Sequence, residues 1–253
     1  MCGRYASTLP PEMMVELFHL LNQIDYPPRY NIAPTQPIPV VWEQMGRRTI
    51  QLVRWGFIPN WVKDPREFSL LINARAETLR EKPSFRDASR SARCVVPASG
   101  YYEWMKGADG SRRPYYITME DDSPMVFAGL YSQWAGPNGE EMDTACIVTV
   151  EPNLEISSIY DRMPAILTTP QQIDDWLNTA AVEPRDAVQL TMPLPAGALK
   201  FHPVGKAIGR ADAEGADLIR PLTPDELAGE AEPKPKKKKK KAGGGGGQQF
   251  DLF

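Results

Sequence analysis

A cysteine directly follows the initiator methionine, and that position gives it a chemical option no internal cysteine has. Once Met1 is removed, the thiol and the α-amine of Cys2 share one carbon framework. Such a 1,2-aminothiol condenses with aldehydes: the amine forms a Schiff base and the thiol closes a five-membered thiazolidine ring. Both groups titrate near neutrality, at about 8 and about 8.5 when unperturbed. With Met1 retained, the α-amine would belong to another residue and the ring could not close. The remaining chemistry-bearing side chains are less suggestive. Cys94 and Cys146 lie inside apolar runs and read as packing residues. His19 and His202 stand far apart in unrelated surroundings, so neither a metal site nor a cofactor is expected, and no Cys-His pair of a general peptidase is discernible.

The elements that must position Cys2 follow from the hydrophobic pattern. Residues 10–22 place Met13, Leu17, Leu20 and Leu21 at helical spacing and predict an amphipathic helix. Short apolar or alternating runs at 38–44, 49–57, 93–97, 114–119, 125–133 and 145–150 predict strands of a mixed or antiparallel sheet, punctuated by many of the 25 prolines. Thr169 and Pro170 ahead of Ile173, Trp176 and Leu177 predict a second, capped helix over 169–178. The class is α+β and rich in strands.

At 253 residues the chain has room for one sizeable core. No apolar run approaches the roughly 20 residues that cross a bilayer, and no basic leader precedes an apolar stretch, so the expected location is the cytoplasm, near the nucleoid. Three cysteines in a reducing compartment argue against a disulfide framework. The net charge of −3 hides an asymmetry, because seven lysines lie beyond residue 230 and residues 1–229 carry 22 basic against 29 acidic groups. Nucleic acid could bind so acidic a domain only along a locally basic groove.

Seven segments in order carry a resemblance over essentially all of residues 2–222: Cys2-Gly3-Arg4-Tyr5, Arg29-Tyr30-Asn31-Ile32-Ala33-Pro34-Thr35, Arg54-Trp55-Gly56-Phe57-Ile58-Pro59, Asn73-Ala74-Arg75-Ala76-Glu77-Thr78, Gly100-Tyr101-Tyr102-Glu103-Trp104, Asp161-Arg162-Met163-Pro164 and His202-Pro203-Val204. Together they resemble the SOS-response-associated peptidase family, whose members crosslink DNA at abasic sites. The resemblance implies one domain around a strongly bent sheet, acting as a monomer, with a groove for single-stranded DNA and Cys2 at its floor. It assigns Cys2 as nucleophile, Asn73 as the group positioning the sugar or the terminal amine, and Glu103 as the proton-transfer group. A partly desolvated carboxyl would have its pKa raised toward neutrality, as that task requires. Arg4, Arg75 and Arg162 match positions that face phosphates, Asn31 and Thr149 match further DNA-site positions, and Pro34 and Trp61 match the region that wedges or stacks against bases. Trp55 reads as core.

One position departs from the family pattern. Histidine normally precedes Asp-Arg-(Met/Arg)-Pro, and Tyr160 stands there instead. In the family that histidine is implicated in opening the sugar and reversing the crosslink. Tyrosine, titrating at about 10, is mostly a donor at neutral pH, so capture should be slower and release slower still. The alternative function is a noncatalytic adaptor for single strands and the sliding clamp, its crosslinking impaired because Tyr160 replaces that histidine.

From about residue 224 a short acidic helix gives way to Pro-Lys-Pro, six consecutive lysines and five glycines, a composition that predicts a disordered tail. The expected organisation is therefore a domain over 1–222, a linker over 223–247 and a terminal peptide over 248–253. Gln249-Phe250-Asp251-Leu252-Phe253 resembles the short peptide by which bacterial polymerases and repair proteins bind the β sliding clamp, with Leu252 and Phe253 suited to an apolar pocket.

Overall fold

Strands first appear where the N-terminal segment is fully buried. In chain order the elements are β1 (Tyr5–Ser7), α1 (Pro11–Phe18), β2 (Arg29–Ile32), β3 (Pro37–Gln44), β4 (Arg47–Trp55) and β5 (Asn73–Arg75). Then come α2 (Pro83–Ser91), β6 (Arg93–Ala98), β7 (Gly100–Lys106), β8 (Arg112–Met119), β9 (Met125–Ala135) and β10 (Glu141–Val150). The order ends with α3 (Leu154–Ser157), β11 (Met163–Pro164), α4 (Pro170–Leu177), α5 (Pro184–Gln189), β12 (Leu199–Pro203) and α6 (Pro224–Ala231). The computed structural model describes residues 2–231, and the lysine run and the terminal peptide lie outside the described residues. The chain divides into two compact units, one ending at Pro221 and one beginning at Leu222; in the second, Thr223 caps α6 by accepting from the Glu226 amide at 3.3 Å.

The first unit holds two sheets. In one, five strands pair antiparallel in the order β12-β8-β7-β1-β2. In the other, β10, β4, β3, β6 and β9 pair in succession and β9 pairs back onto β10, so the sheet closes into a barrel without free edges along that ring. The strand-rich α+β class holds, with the strands shared between this closed sheet and the five-stranded one.

Between them lies one core. Tyr5 on β1 meets Trp55 edge-on at 5.4 Å and Phe127 at 5.9 Å, and all three rings are buried. Trp55 also donates its indole N–H to the Ile72 carbonyl at 3.0 Å, the core role its composition suggested. Cys94 and Cys146 are likewise buried, with Gly129 between them where a Cβ would sit 3.0 Å from the Cys94 sulfur. On β7, Gly100 is required: a Cβ would approach the Tyr116 ring at 2.5 Å and the Ile117 carbonyl at 2.6 Å.

The helices show where local signals sufficed. α4 follows its signals: Thr169 and Gln172 form a capping box, Pro170 opens the helix, and Ile173, Trp176 and Leu177 bury the face set by their spacing. α1 is shorter than predicted. It stops at Phe18 because His19 takes the left-handed conformation at φ 53°, and its buried residues are Met14 and Phe18, while Met13 and Leu21 are exposed. No helix among the described residues is long and apolar enough to cross a membrane.

Candidate functional site

The register of β1 against β7 places Cys2. Tyr5 pairs with Tyr101 and Ala6 with Gly100, and the Tyr102 amide donates to the Arg4 carbonyl at 3.0 Å, so the chain before Tyr5 runs alongside Glu103. Cys2 and Glu103 are both buried, at 0% and 2% exposure. Burial pushes the Cys2 thiol well above its ordinary range, and the Glu103 charge pushes it further. Burial likewise holds the Glu103 carboxyl up at about 8. Two neighbouring groups that each resist ionising favour a neutral thiol beside a carboxyl poised near neutral pH.

Tyr5 and Tyr101 flank this pair. Burial, then other phenols or the Cys2 charge, raises both hydroxyls far above the ordinary tyrosine range. Tyr160 reaches the same neighbourhood from the turn after α3 and is only partly buried. Its hydroxyl is raised by burial and then by the charges of Glu103 and Asp161, with Arg112 acting in the opposite sense. The structure therefore brings Cys2 and Glu103 together, with Tyr160 near enough for the Glu103 charge to act on it.

A second group forms where β5 lies parallel to β10. Asn73 pairs with Ile147 and Arg75 with Thr149, so Asn73 and Arg75 share one face of the sheet. The Asn73 amide donates to the Ile147 carbonyl at 3.4 Å, while its buried Oδ1 accepts no hydrogen bond among the described residues. Such an acceptor suits an incoming amine or hydroxyl. Thr149 is buried, and Arg75 is exposed.

The other expected DNA contacts vary in accessibility. Arg162 grips both oxygens of Glu77 at 2.9 Å and donates to the Thr149 carbonyl at 2.6 Å, leaving its side chain 12% exposed. It fixes the corner of β10 and β11 and leaves little of the guanidinium accessible. Asn31 has no exposed surface: its oxygen accepts from Arg4 at 2.6 Å and its amide donates to the Arg210 and Ala213 carbonyls at 2.7 and 2.9 Å. Any influence of Asn31 on DNA runs through Arg4, which also donates to the Ile208 carbonyl at 3.0 Å. Trp61 is 52% exposed, stands edge-on to Phe68 at 5.7 Å and lines a 260 Å³ cavity with Pro59, Ser84 and Tyr131. Cys2 does not line that cavity, so it does not join Trp61 to Cys2. Pro34 is partly exposed beside Thr35, whose φ of 74° is a strained value for a β-branched residue.

Sequence reasoning passed over three of these groups. Glu77 and Thr35 lay inside quoted motifs without a role, and Asp161 gained one only from its position beside Tyr160. Neither histidine approaches Cys2: His202 bonds the Ile219 carbonyl at 2.8 Å and meets the Tyr116 ring, and His19 is exposed. Among the described residues no group of three or more His, Cys, Asp or Glu could hold a metal.

The geometry can be set beside known proteins. The abasic site processing protein YoqW of Bacillus subtilis is 35% identical over 222 residues, covering 87% of this chain and 99% of that protein. The abasic site processing protein YedK of Escherichia coli is 30% identical over 230 residues, covering 88% and 100%. A crystal structure of a protein from Bacteroides thetaiotaomicron superposes with a TM-score of 0.77 at 26% identity, covering 88% of this chain and 100% of that one. The family model for SOS response associated peptidases (SRAP) matches residues 1–211, and with relatives this similar over nearly their full length the chain belongs to that family.

Proposed function

We propose that this protein captures abasic sites in single-stranded DNA by forming a thiazolidine through Cys2 after Met1 has been removed. The observation that carries the reading is that the Cys2 thiol and the Glu103 carboxyl are both buried, with the Glu103 charge acting on the thiol. The α-amine adds to the aldehyde of the ring-opened sugar, and water leaves as the imine forms. The thiol then adds across the carbon–nitrogen double bond: a sulfur–carbon bond closes the ring and the thiol proton ends on nitrogen. Overall, one water is released.

Glu103 supplies the proton traffic. A carboxyl held at about 8 is protonated enough at neutral pH to assist loss of water, and once ionised it draws the proton from the thiol. Asn73 orients the amine or a sugar hydroxyl through its unused oxygen, and Tyr160 donates to the sugar. Arg75, Arg4 and the outer edge of Arg162 bind phosphates, while Trp61 and Pro34 pack against bases, so sequence preference is weak.

The relatives' names, which describe abasic site processing, support this reading. The terminal peptide would deliver the protein to the β sliding clamp, and its tether would raise the effective concentration at the fork. Tyr160 also favours a second reading, a noncatalytic single-strand and clamp adaptor. Incubation with an abasic oligonucleotide without borohydride separates the two: a heat-stable adduct supports capture, and binding with no adduct supports the adaptor.

A further inference from the structure

A basic hollow that Cys2 does not line is formed by α2 and α5. Arg80, Arg86, Arg90 and Arg185 line a 300 Å³ hollow between α2 and α5, together with Ser89, Glu183 and Pro184. All four arginines are exposed. Arg86 makes one loose pair with Asp87 at 3.5 Å, and Arg80, Arg90 and Arg185 form no ion pair among the described residues. In a domain whose residues 1–229 carry an excess of seven acids, four arginines around one hollow are a local reversal of sign.

The wall behind the hollow is rigid and positive. Arg93 is 1% exposed, and its guanidinium donates to four carbonyls: Ser89 at 2.9 Å, Trp176 at 2.6 Å, Asn178 at 3.1 Å and Val182 at 2.8 Å. These bonds tie α2 to the end of α4 and to the segment leading into α5, fixing the two walls. Burial lowers the Arg93 pKa only to about 10, so it stays cationic at neutral pH. No carboxylate lies within ion-pairing distance of it among the described residues, and its field adds to that of the rim.

The hollow begins close along the chain to the Arg162–Glu77 pair. Arg162 is bonded to Glu77, and three residues on stands Arg80, which the chain's reach keeps within about 11 Å of Glu77. We infer that this arginine hollow binds the phosphodiester backbone of the same DNA strand beyond the lesion, extending the footprint along α2 toward Arg185. The inference rests on the single-strand reading of the Cys2 site. Arginine forks bind phosphate oxygens bidentately, and several of them around a rigid hollow select a polyanion over an isolated anion.

The test measures anisotropy of undamaged single strands of about 4 and about 16 nucleotides, the ends of the usual range of site sizes, across a salt series with the full chain. For Arg90→Ala/Arg185→Ala, short-strand binding should be unchanged. The slope of log K against log salt for the long strand should flatten by about 1.4, two phosphate contacts at about 0.7 each. Glu183→Gln, which removes the negative charge from the rim, should tighten long-strand binding, a gain that misfolding could not imitate. A wild-type slope for the long strand in the double variant overturns the inference while leaving the DNA groove intact. Failure of the wild type to bind either length would instead overturn the underlying single-strand reading.

Discussion

Replacing Glu103 with glutamine should stabilise the protein and slow its chemistry together. The carboxyl is held at about 8 by burial against an ordinary 4.5. At about 1.4 kcal/mol per unit, that displacement corresponds to a cost of order 5 kcal/mol when the unfolded chain is fully ionised. The sign follows from proton binding. Between pH 4.5 and 8 the folded state keeps a proton that the unfolded state has released, so stability is full below about 4.5 and declines until pH passes about 8. Glutamine keeps the shape and abolishes this dependence. In a domain of this size each kcal/mol moves the melting temperature by about 2–4 °C, so Glu103→Gln should melt within a few degrees of wild type at pH 4.5 and on the order of 10 °C higher at pH 8.5. Crosslinking should fall by about 10²–10⁴-fold, the usual worth of a positioned proton-transfer group. Thermal unfolding and adduct time courses measure both effects on the same samples. A melting difference that stays constant with pH would refute the assignment of Glu103 as a carboxyl kept protonated by burial, because a group whose pKa is the same folded and unfolded has no such pH signature.

Tyr160→His should accelerate both formation and release of the adduct, release the more, in time courses against the native protein; equal rates would remove Tyr160 from the mechanism. Asn31→Ala should lower stability by roughly 2–4 kcal/mol in denaturant unfolding, since it strands the Arg4 guanidinium and the carbonyls of Arg210 and Ala213. Trp61→Ala should weaken single-strand binding by about 1–3 kcal/mol with little change in melting temperature, whereas Trp55→Ala should cost about 3–5 kcal/mol of stability. Gly100→Ala should destabilise by at least about 1–3 kcal/mol, because the Tyr116 ring and the Ile117 carbonyl leave no room for a methyl group.

Longer elements were legible in the sequence because their signals are local. The strands β3, β4, β6, β8, β9 and β10 announce themselves through apolar runs, and α4 through its cap, proline and spacing. The short strands β1, β5 and β11 have two or three residues each, too few for a period to emerge, and they exist only because a long neighbour offers an edge. α2 escaped notice because its polar segment buries just Phe85 and Ser89. In α1, the left-handed turn at His19 removed Leu20 and Leu21 from a helix their spacing would have extended.

The candidate site depended on a different kind of signal. The position of Cys2 raises the aminothiol chemistry without deciding it, and Glu103 joins it only because the pairing of β1 with β7 carries it alongside Cys2 across about a hundred residues of sequence. Only a motif resemblance could anticipate that juxtaposition. The Arg162–Glu77 clamp and the burial of Asn31 depend on packing between segments far apart in sequence, so arginine and asparagine types alone could not tell an anchored side chain from a DNA-facing one.

The most direct test of capture by Cys2 is intact-mass spectrometry before and after incubation with a single-stranded oligonucleotide bearing one abasic site. The account predicts a protein lighter by Met1 that then gains the oligonucleotide's mass less one water, with no gain in Cys2→Ala. A protein that has lost Met1, exposes Cys2 and still keeps its mass unchanged after incubation would contradict it.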